Sequence, residues 1–243
     1  MAEPAALYNM RDGIAWITLN RPAVLNAINL EMRDLLWDIF HVVRENPEVR
    51  VAVVQGAGDW AFSAGADLTE FGTAPSYLAA RAARQERDLW GLILSLDKPL
   101  IASMHGYAYG AGCEMSLCCD LRLAAEDTRF ALPEVALGYI PSAGGTQLLP
   151  RTIGPGPALR MILSGEAIEG AEALRLGLVH EVVPRARLRY ATQAAADRLL
   201  RQPAHALRCA KQALSASLET TLTVGLEIEA HLAITTLAAR RHG

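Results

Sequence analysis

Four short apolar segments, separated by stretches with helical periodicity, constrain most strongly how this chain folds. Val-Ala-Val-Val at 51–54 is apolar at four consecutive positions, which is typical of a strand buried on both faces of a sheet. Comparable, mainly apolar segments stand at 14–19, 100–104 and 121–125, and the first of them is rich in β-branched residues. Because strands that alternate with helices favour a layered arrangement, the sequence predicts an α/β fold.

Predicted helices fill the segments between these strands. Asn29 has the side chain of an N-cap, and the apolar residues that follow it recur at helical spacing to about Glu45. A charged amphipathic helix is predicted over 76–96 and a buried helix over 110–119.

The composition changes after Pro184 to segments rich in Ala and Leu. Three helices are predicted there, at roughly 188–201, 204–217 and 220–239. We therefore expect a core at 1–185 followed by a helical region at 186–243.

Composition and charge disfavour several classes of protein. With 243 residues, 51% of them apolar, and a net charge of −3, the chain can form a core and has no basic face for nucleic acid. No apolar run is long enough and free enough of Gly and Pro to predict a membrane span. The four cysteines form no CxxC pair and no signal peptide is recognisable, so we expect buried thiols in a cytoplasmic protein.

Two isolated glutamates stand in apolar, glycine-containing stretches. Glu114 is the only acidic residue between 99 and 119, Glu134 is the only one between 130 and 150, and neither stretch contains Lys or Arg. A carboxylate among apolar neighbours is costly to ionise, so we expect raised pKa values for both. Carboxyl groups beside exposed backbone amides suit acid–base chemistry on a carbonyl compound.

Other catalytic and binding motifs are incomplete. Neither GxGxxG nor GK[ST] occurs, which gives nucleotide binding no support. His180-Glu181 begins HExxH, but Pro184 stands at the position of the second histidine, so we expect no metal site there. Ser63 lies between a predicted strand and helix, but Ala61 replaces the first Gly of GxSxG, which disfavours a serine hydrolase.

Four segments around the glutamates remain. Taken singly, each has a structural interpretation: a tight turn capped by Asp67, close helix packing at 110–112, an ion-paired core residue at Glu114, or a turn at 133–134. Their order and spacing together are harder to explain in this way. The segments are 64–67 (AGAD), 106–114 (GYAYGAGCE), 132–134 (LPE) and 140–146 (IPSAGGT).

With these segments the chain resembles the enoyl-CoA hydratase/isomerase, or crotonase, superfamily. The resemblance begins at 17–22 (ITLNRP) and 25–27 (LNA), and it extends to 177–179 (GLV). It implies a spiral of ββα turns whose two sheets are wrapped by helices, with a C-terminal helical region that mediates trimers, often paired as hexamers. It also implies an acyl-CoA thioester as the substrate, with no separate cofactor and no metal.

The resemblance assigns roles to four of these residues. Ala66 and Ala111 are expected to supply the two backbone N–H groups of an oxyanion hole. Glu114 and Glu134 match the two glutamates of hydratases, which hold a water molecule over the substrate double bond. We expect Glu134 to deliver a proton to C2 and Glu114 to activate the water, with the two titrating as a pair.

The resemblance also implies contacts to the rest of the substrate. Ser142 stands where many hydratases have Gly, and it is expected to narrow the water pocket or to contribute a hydroxyl. Ala23 and Thr69 stand where hydratases often have basic residues near the CoA phosphates, so we expect altered CoA contacts. We also expect that the family's usual final helix is either absent or partly replaced by Arg240 and Arg241. The other expected substrate and CoA contacts are Leu25, Ala27, Ala64, Asp67 and Leu68.

A hydratase is the leading interpretation, adding water syn across the C2=C3 bond of a 2-enoyl-CoA to give a 3-hydroxyacyl-CoA. An enoyl-CoA isomerase that uses one glutamate as a proton shuttle is the nearest alternative. A non-catalytic homologue on the same fold, including an RNA-binding one, is disfavoured by the retained glutamates and the acidic charge balance. The sequence leaves the acyl group open among straight, branched and cyclic chains.

Overall fold

The computed structural model describes residues 3–72, 76, 78 and 86–239. Strands and helices alternate through most of this part of the chain. The strands are β1 (Ala6–Arg11), β2 (Ile14–Leu19), β3 (Val51–Gly56), β4 (Ala61–Ser63), β5 (Leu100–Met104), β6 (Tyr107–Tyr109), β7 (Leu121–Ala125), β8 (Arg129–Ala131), β9 (Ile168–Glu169) and β10 (Glu181–Val183). The α-helices are α1 (Leu30–Glu45), α2 (Leu89–Leu94), α3 (Ala111–Leu117), α4 (Gly145–Ile153), α5 (Pro155–Ser164), α6 (Gly170–Leu176), α7 (Leu188–Leu200), α8 (Ala204–Ser217) and α9 (Leu222–Ala239).

The larger sheet has six strands in the order β1-β2-β3-β5-β7-β10. Its four central strands β2, β3, β5 and β7 are the four apolar segments predicted from the sequence, and they run parallel. Every residue of β5 is buried, as expected for a parallel strand covered on both faces. The predicted α/β class is confirmed.

The smaller sheet has four very short strands in the order β4-β6-β8-β9. Because β4, β6 and β8 are parallel, their carboxyl ends lie at one edge of the sheet. The segments that leave this edge begin at Ala64, Gly110 and Leu132. The smaller sheet thus brings together three of the four segments that carry the resemblance.

The helix predicted over 76–96 is interrupted in its described part. Glu86 is helical, but the helix does not continue through Asp88, and α2 starts at Leu89. The reason is local, because the Asp88 carboxylate accepts a hydrogen bond from the Gly91 amide at 3.0 Å and caps α2. Residues 77 and 79–85 of the predicted helix lie outside the described part.

The other predicted helices are confirmed within a few residues. Asn29 caps α1 by accepting a hydrogen bond from the Met32 amide at 2.9 Å. Among the described residues, no helix is long and apolar enough to cross a membrane. The strand β1 was not predicted, because its alternating burial gives it a polar face.

The C-terminal helices differ in how they meet the core. Helix α7 packs through Leu188, Ala195 and Ala196 against one face of the larger sheet. Helix α9 packs on α8 and leaves large apolar side chains exposed, with Leu222 at 78% and Ile234 at 68%. The division of the chain at residue 185 stays a prediction.

Candidate active site

The turn after β4 fixes the direction of the Ala66 amide. The Ile28 amide donates to the Gly65 carbonyl at 2.8 Å, and the Asp67 amide donates to the Ile28 carbonyl at 3.0 Å, which forms a parallel bridge. Because the peptide between Gly65 and Ala66 is trans, its N–H points away from the carbonyl that Ile28 engages. The Ala66 amide therefore faces away from the bridge, and it has no acceptor among the described residues.

The Ala111 amide lies at the start of α3. A residue in the first position of a helix has no intrahelical acceptor for its N–H, and Ala111 finds no other acceptor within the described part of the chain. The preceding turn packs closely here, because a Cβ on Gly65 would lie 3.3 Å from the Ala111 nitrogen. The two amide groups predicted from the sequence thus lie on neighbouring segments.

Glu134 follows β8 and begins a short 3-10 helix, Glu134–Leu137. The residue is only 5% exposed, and its Oε2 has no hydrogen-bond partner among the described residues. Burial raises the pKa of Glu134 to about 7, the nearby Glu114 carboxylate adds to this effect, and its own backbone amide opposes it. The predicted rise is confirmed for Glu134, which can exchange a proton near neutral pH.

Glu114 lies on α3 and is 2% exposed. Its Oε1 accepts hydrogen bonds from the amides of Ala143 and Gly145, both at 2.8 Å. The glycine-rich segment 143–145 therefore binds one oxygen of this carboxylate through two backbone amides.

Gly110 lies next to both glutamate-bearing elements. It directly precedes α3, which carries Glu114, and it lies against the Glu134 side chain. Its φ of +49° with ψ of −127° is a glycine conformation, and a Cβ there would lie 2.9 Å from Glu134 Oε1. We expect Gly110→Ala to lower the free energy of unfolding by about 1–3 kcal/mol and to displace the Glu134 carboxyl. Denaturant unfolding and hydration assays measure the two effects.

Gly154→Ala is the matched control for this substitution. Gly154 also has a positive φ, +81°, but a Cβ there would meet nothing within 4 Å. We expect this variant to lose stability through backbone strain alone and to keep its activity. Equal activity loss in both variants would contradict the proposed contact with Glu134.

Ser63 has a structural role. It is fully buried, its hydroxyl donates to the Asn26 carbonyl at 2.8 Å, and its Oγ accepts from the Gly65 amide at 3.2 Å. A hydroxyl held in this way is not presented to a substrate. The contacts agree with the low weight that the sequence gives to a serine hydrolase.

The segments predicted to contact CoA lie side by side. The Ala64 amide donates to the Leu25 carbonyl at 2.9 Å, and Leu68 is 50% exposed directly beyond the bridge at Ala66. The Asp67 carboxylate accepts hydrogen bonds from Arg21 and Thr69. The contacts of Leu25, Ala27, Ala64, Asp67 and Leu68 to a substrate stay predictions, and so does that of Ser142, which is exposed.

Sequence reasoning missed two residues around this site, Arg21 and Tyr139. Arg21 was noted only as part of the motif Asn-Arg-Pro, but its side chain bonds Asp67. Phe71 and Tyr139 form a tilted aromatic pair with ring centroids 5.2 Å apart. Burial raises the pKa of Tyr139, and the charges of Glu134 and Glu114 add to this, so its hydroxyl lies within electrostatic range of both. The one sequence signal for Tyr139 is that it directly precedes the segment 140–146.

No group of three or more His, Cys, Asp or Glu side chains that could hold a metal ion occurs among the described residues. Two buried carboxyl groups beside two unbonded backbone amides instead define the class of site. Such a site suits an acid–base reaction at a substrate whose carbonyl oxygen gains negative charge.

Comparisons with known proteins agree with this class. Residues 9–242 match the family described as enoyl-CoA hydratase/isomerase. The chain is 43% identical to the 2,3-dehydroadipyl-CoA hydratase of Escherichia coli K12, over 96% of this chain and 90% of that protein. It is 34% identical to the crotonyl-CoA hydratase of Syntrophomonas wolfei, over 95% of this chain and 88% of that protein.

A solved structure of enoyl-CoA hydratase from Bacillus anthracis superposes with a TM-score of 0.91 at 34% identity, covering 96% of this chain and 91% of that one. The chain therefore belongs to the enoyl-CoA hydratase/isomerase family, and its fold is the crotonase fold.

Proposed function

We propose that this chain is an enoyl-CoA hydratase, which adds water across the C2=C3 double bond of a 2-enoyl-CoA thioester. The observation that carries the proposal is the buried Glu134 carboxyl, with an unpartnered Oε2 and a pKa of about 7, beside the buried Glu114. The two relatives named above are hydratases by name, which supports the same reaction.

In this reaction the thioester carbonyl oxygen accepts hydrogen bonds from the Ala66 and Ala111 amides. Attack of water at C3 moves negative charge onto that oxygen as an enolate, and fixed donors stabilise the charge as it develops. Removal of one such donor typically reduces the rate by about 10²–10³-fold. The amides thus act on the transition state more than on the bound substrate.

The two carboxyl groups move the protons. Glu114 takes a proton from water as the water oxygen bonds to C3, and Glu134 gives its proton to C2 as the double bond is lost. The product is a 3-hydroxyacyl-CoA. Glu114 is then protonated and Glu134 ionised, so a proton returns between the two, directly or through solvent, before the next turnover.

Hydration of crotonyl-CoA tests the proposal. We expect the ultraviolet absorbance of the conjugated thioester to fall while its mass rises by one water. A 3-enoyl-CoA that gains this absorbance without a change of mass would identify an isomerase instead. A folded protein inactive on straight, branched and cyclic enoyl-CoA thioesters, but with tight RNA binding, would overturn the proposal.

We also propose that the chain assembles as a trimer, or as a hexamer of two trimers, in the cytoplasm. The support for assembly is the exposed apolar surface of α8 and α9, where Leu214 is 69% and Leu222 is 78% exposed. Burial of such a surface between copies would be favourable by about 25 cal/mol for each Å² of apolar area. Light scattering on the purified protein measures the mass, and a monomer would contradict the assembly.

A further inference from the structure

One nitrogen of Arg21 joins two segments of the proposed site. Its Nη1 donates to the Ala27 carbonyl oxygen at 2.7 Å and to Asp67 Oδ2 at 2.8 Å. Only 24% of the Arg21 side chain and 13% of the Asp67 side chain is exposed. A half-buried, charge-assisted contact of this kind is stronger than an exposed surface ion pair.

The two acceptors flank the bridge that orients the Ala66 amide. Ala27 directly precedes Ile28, and Asp67 directly follows Ala66, and the bridge pairs Ile28 with Ala66. The guanidinium therefore reinforces the pairing from one side. If the contact is lost, the bridge between Ile28 and Ala66 keeps its two backbone hydrogen bonds but loses this side-chain support.

Asp67 is fixed from a second direction by Thr69. Its Oδ1 accepts from the Thr69 hydroxyl at 2.7 Å and from the Thr69 amide at 3.1 Å. The hydrogen bonds from Thr69 and from Arg21 lower the pKa of Asp67, so the carboxylate is ionised at neutral pH. The Asp67 carboxylate thus accepts three hydrogen bonds from Arg21 and Thr69. These contacts account for its position without any contact to the substrate.

The remainder of the 21–28 loop is held without the guanidinium. The backbone amide of Arg21 donates to Asn26 Oδ1 at 2.9 Å, and the Asn26 amide group donates to the carbonyls of Ala57 and Ala61 at 2.9 and 2.8 Å. Asn26 is fully buried. A change confined to the Arg21 side chain is thus expected to leave this loop in place.

From these contacts we propose that Arg21 is a positioning residue for catalysis, which holds Asp67 and thereby the Ala66 amide in register with the Ala111 amide. The inference rests on the proposed function, because it gives Arg21 a part in the same reaction. Arg21 touches no reacting atom in this proposal. Its effect passes through the direction of one hydrogen-bond donor.

Three variants test this role. Arg21→Met keeps much of the apolar stem and removes both hydrogen bonds. Loss of these bonds is expected to shift the Ala66 N–H by a fraction of an ångström. Because a catalytic donor acts only in the right position, we expect kcat on crotonyl-CoA to fall about tenfold. Contacts that bind the substrate and the transition state equally are little affected, so we expect KM to change by less than about threefold. Arg21→Lys should recover most of kcat, since a single nitrogen makes both contacts.

Arg175→Met is the matched control on the surface. Arg175 makes two hydrogen bonds to Glu172 and its side chain is 68% exposed. This variant should keep the wild-type kcat and KM. Circular dichroism and thermal unfolding of all variants check that each is folded before its kinetics are compared.

Acetoacetyl-CoA gives a readout that does not depend on turnover. This β-keto thioester loses its C2 proton to form an enolate with its own ultraviolet absorbance, and an oxyanion hole favours the enolate when the ligand is bound. We expect Arg21→Met to lower the ratio of bound enolate to bound keto form about tenfold, in parallel with kcat. Binding of CoA alone should be unchanged.

Each outcome separates this inference from the proposed function. A folded Arg21→Met with wild-type kcat, with a change in KM alone or with an unchanged enolate ratio overturns the role of Arg21. A folded wild-type protein that hydrates no enoyl-CoA overturns the proposed function. Parallel loss of kcat and enolate, with recovery in Arg21→Lys, supports both.

Discussion

Glu134→Gln is expected to reduce the rate of crotonyl-CoA hydration by about 10²–10⁴-fold, the usual contribution of a positioned acid or base. Gln has the size of Glu but cannot deliver a proton to C2. The side chain is buried, so a similar shape is needed to keep the packing against Gly110. The measurement is the initial rate under saturating substrate, with folding verified by circular dichroism.

The pH dependence of stability provides an independent check of the same group. In the folded chain the pKa of Glu134 is about 7, above the ordinary value of 4.5, so between these values the folded state binds more protons than the unfolded state. The free energy of unfolding contributed by Glu134 therefore falls as pH rises through this window. Glu134→Gln lacks this dependence. We therefore expect the free energy of unfolding of the variant, relative to that of the wild type, to be higher at pH 8 than at pH 5.

The same pKa sets the expected pH profile of activity. An acid that must donate a proton acts in its protonated form, so kcat/KM for hydration should fall as pH rises through about 7. A Glu134→Gln variant with near wild-type turnover, or a flat wild-type profile across neutral pH, would contradict the assignment of Glu134.

Glu114→Gln is the second substitution with a large expected effect, again about 10²–10⁴-fold in the hydration rate. The Gln carbonyl oxygen can still accept the hydrogen bonds that Ala143 and Gly145 donate to Oε1. The turn at 143–145 should therefore stay in place while the base that activates water is lost. Steady-state kinetics and thermal unfolding measure the two properties separately.

Glu114→Ala distinguishes the chemical role from the structural one. It removes the acceptor of two buried amides, and each buried donor left unsatisfied costs about 1–3 kcal/mol. We expect Glu114→Ala to be clearly less stable than Glu114→Gln, although both are inactive. Glu172→Gln, at a surface carboxylate paired with Arg175, is the control and should retain full activity. Wild-type turnover by a folded Glu114→Gln would remove Glu114 from the mechanism.

The central strands of the larger sheet were predictable because their signal is local. A run such as 51–54 is apolar at every position, and a strand covered on both faces needs no other information to be recognised. Helix α1 was predictable for the same reason, since its cap Asn29 and its apolar periodicity lie within one segment. Local patterns likewise marked both glutamates as unusual.

The smaller sheet was not predictable from local patterns. Its strands β6 and β8 have three residues each and β9 has two, which is too short for a periodicity to be recognised. They exist because they pair with distant segments. The site depends on this sheet, since the carboxyl ends of its parallel strands bring the segments after Ser63, Tyr109 and Ala131 together.

The sequence by itself determined the α/β class, the family resemblance and the two glutamates, because these depend on residue type and order. Only the tertiary structure decided what surrounds them. Glu114 meets amides 29 and 31 residues away, and Arg21 meets a carboxylate 46 residues away. Contacts over such separations are set by how the segments pack, and no local pattern in the chain encodes their distance or direction.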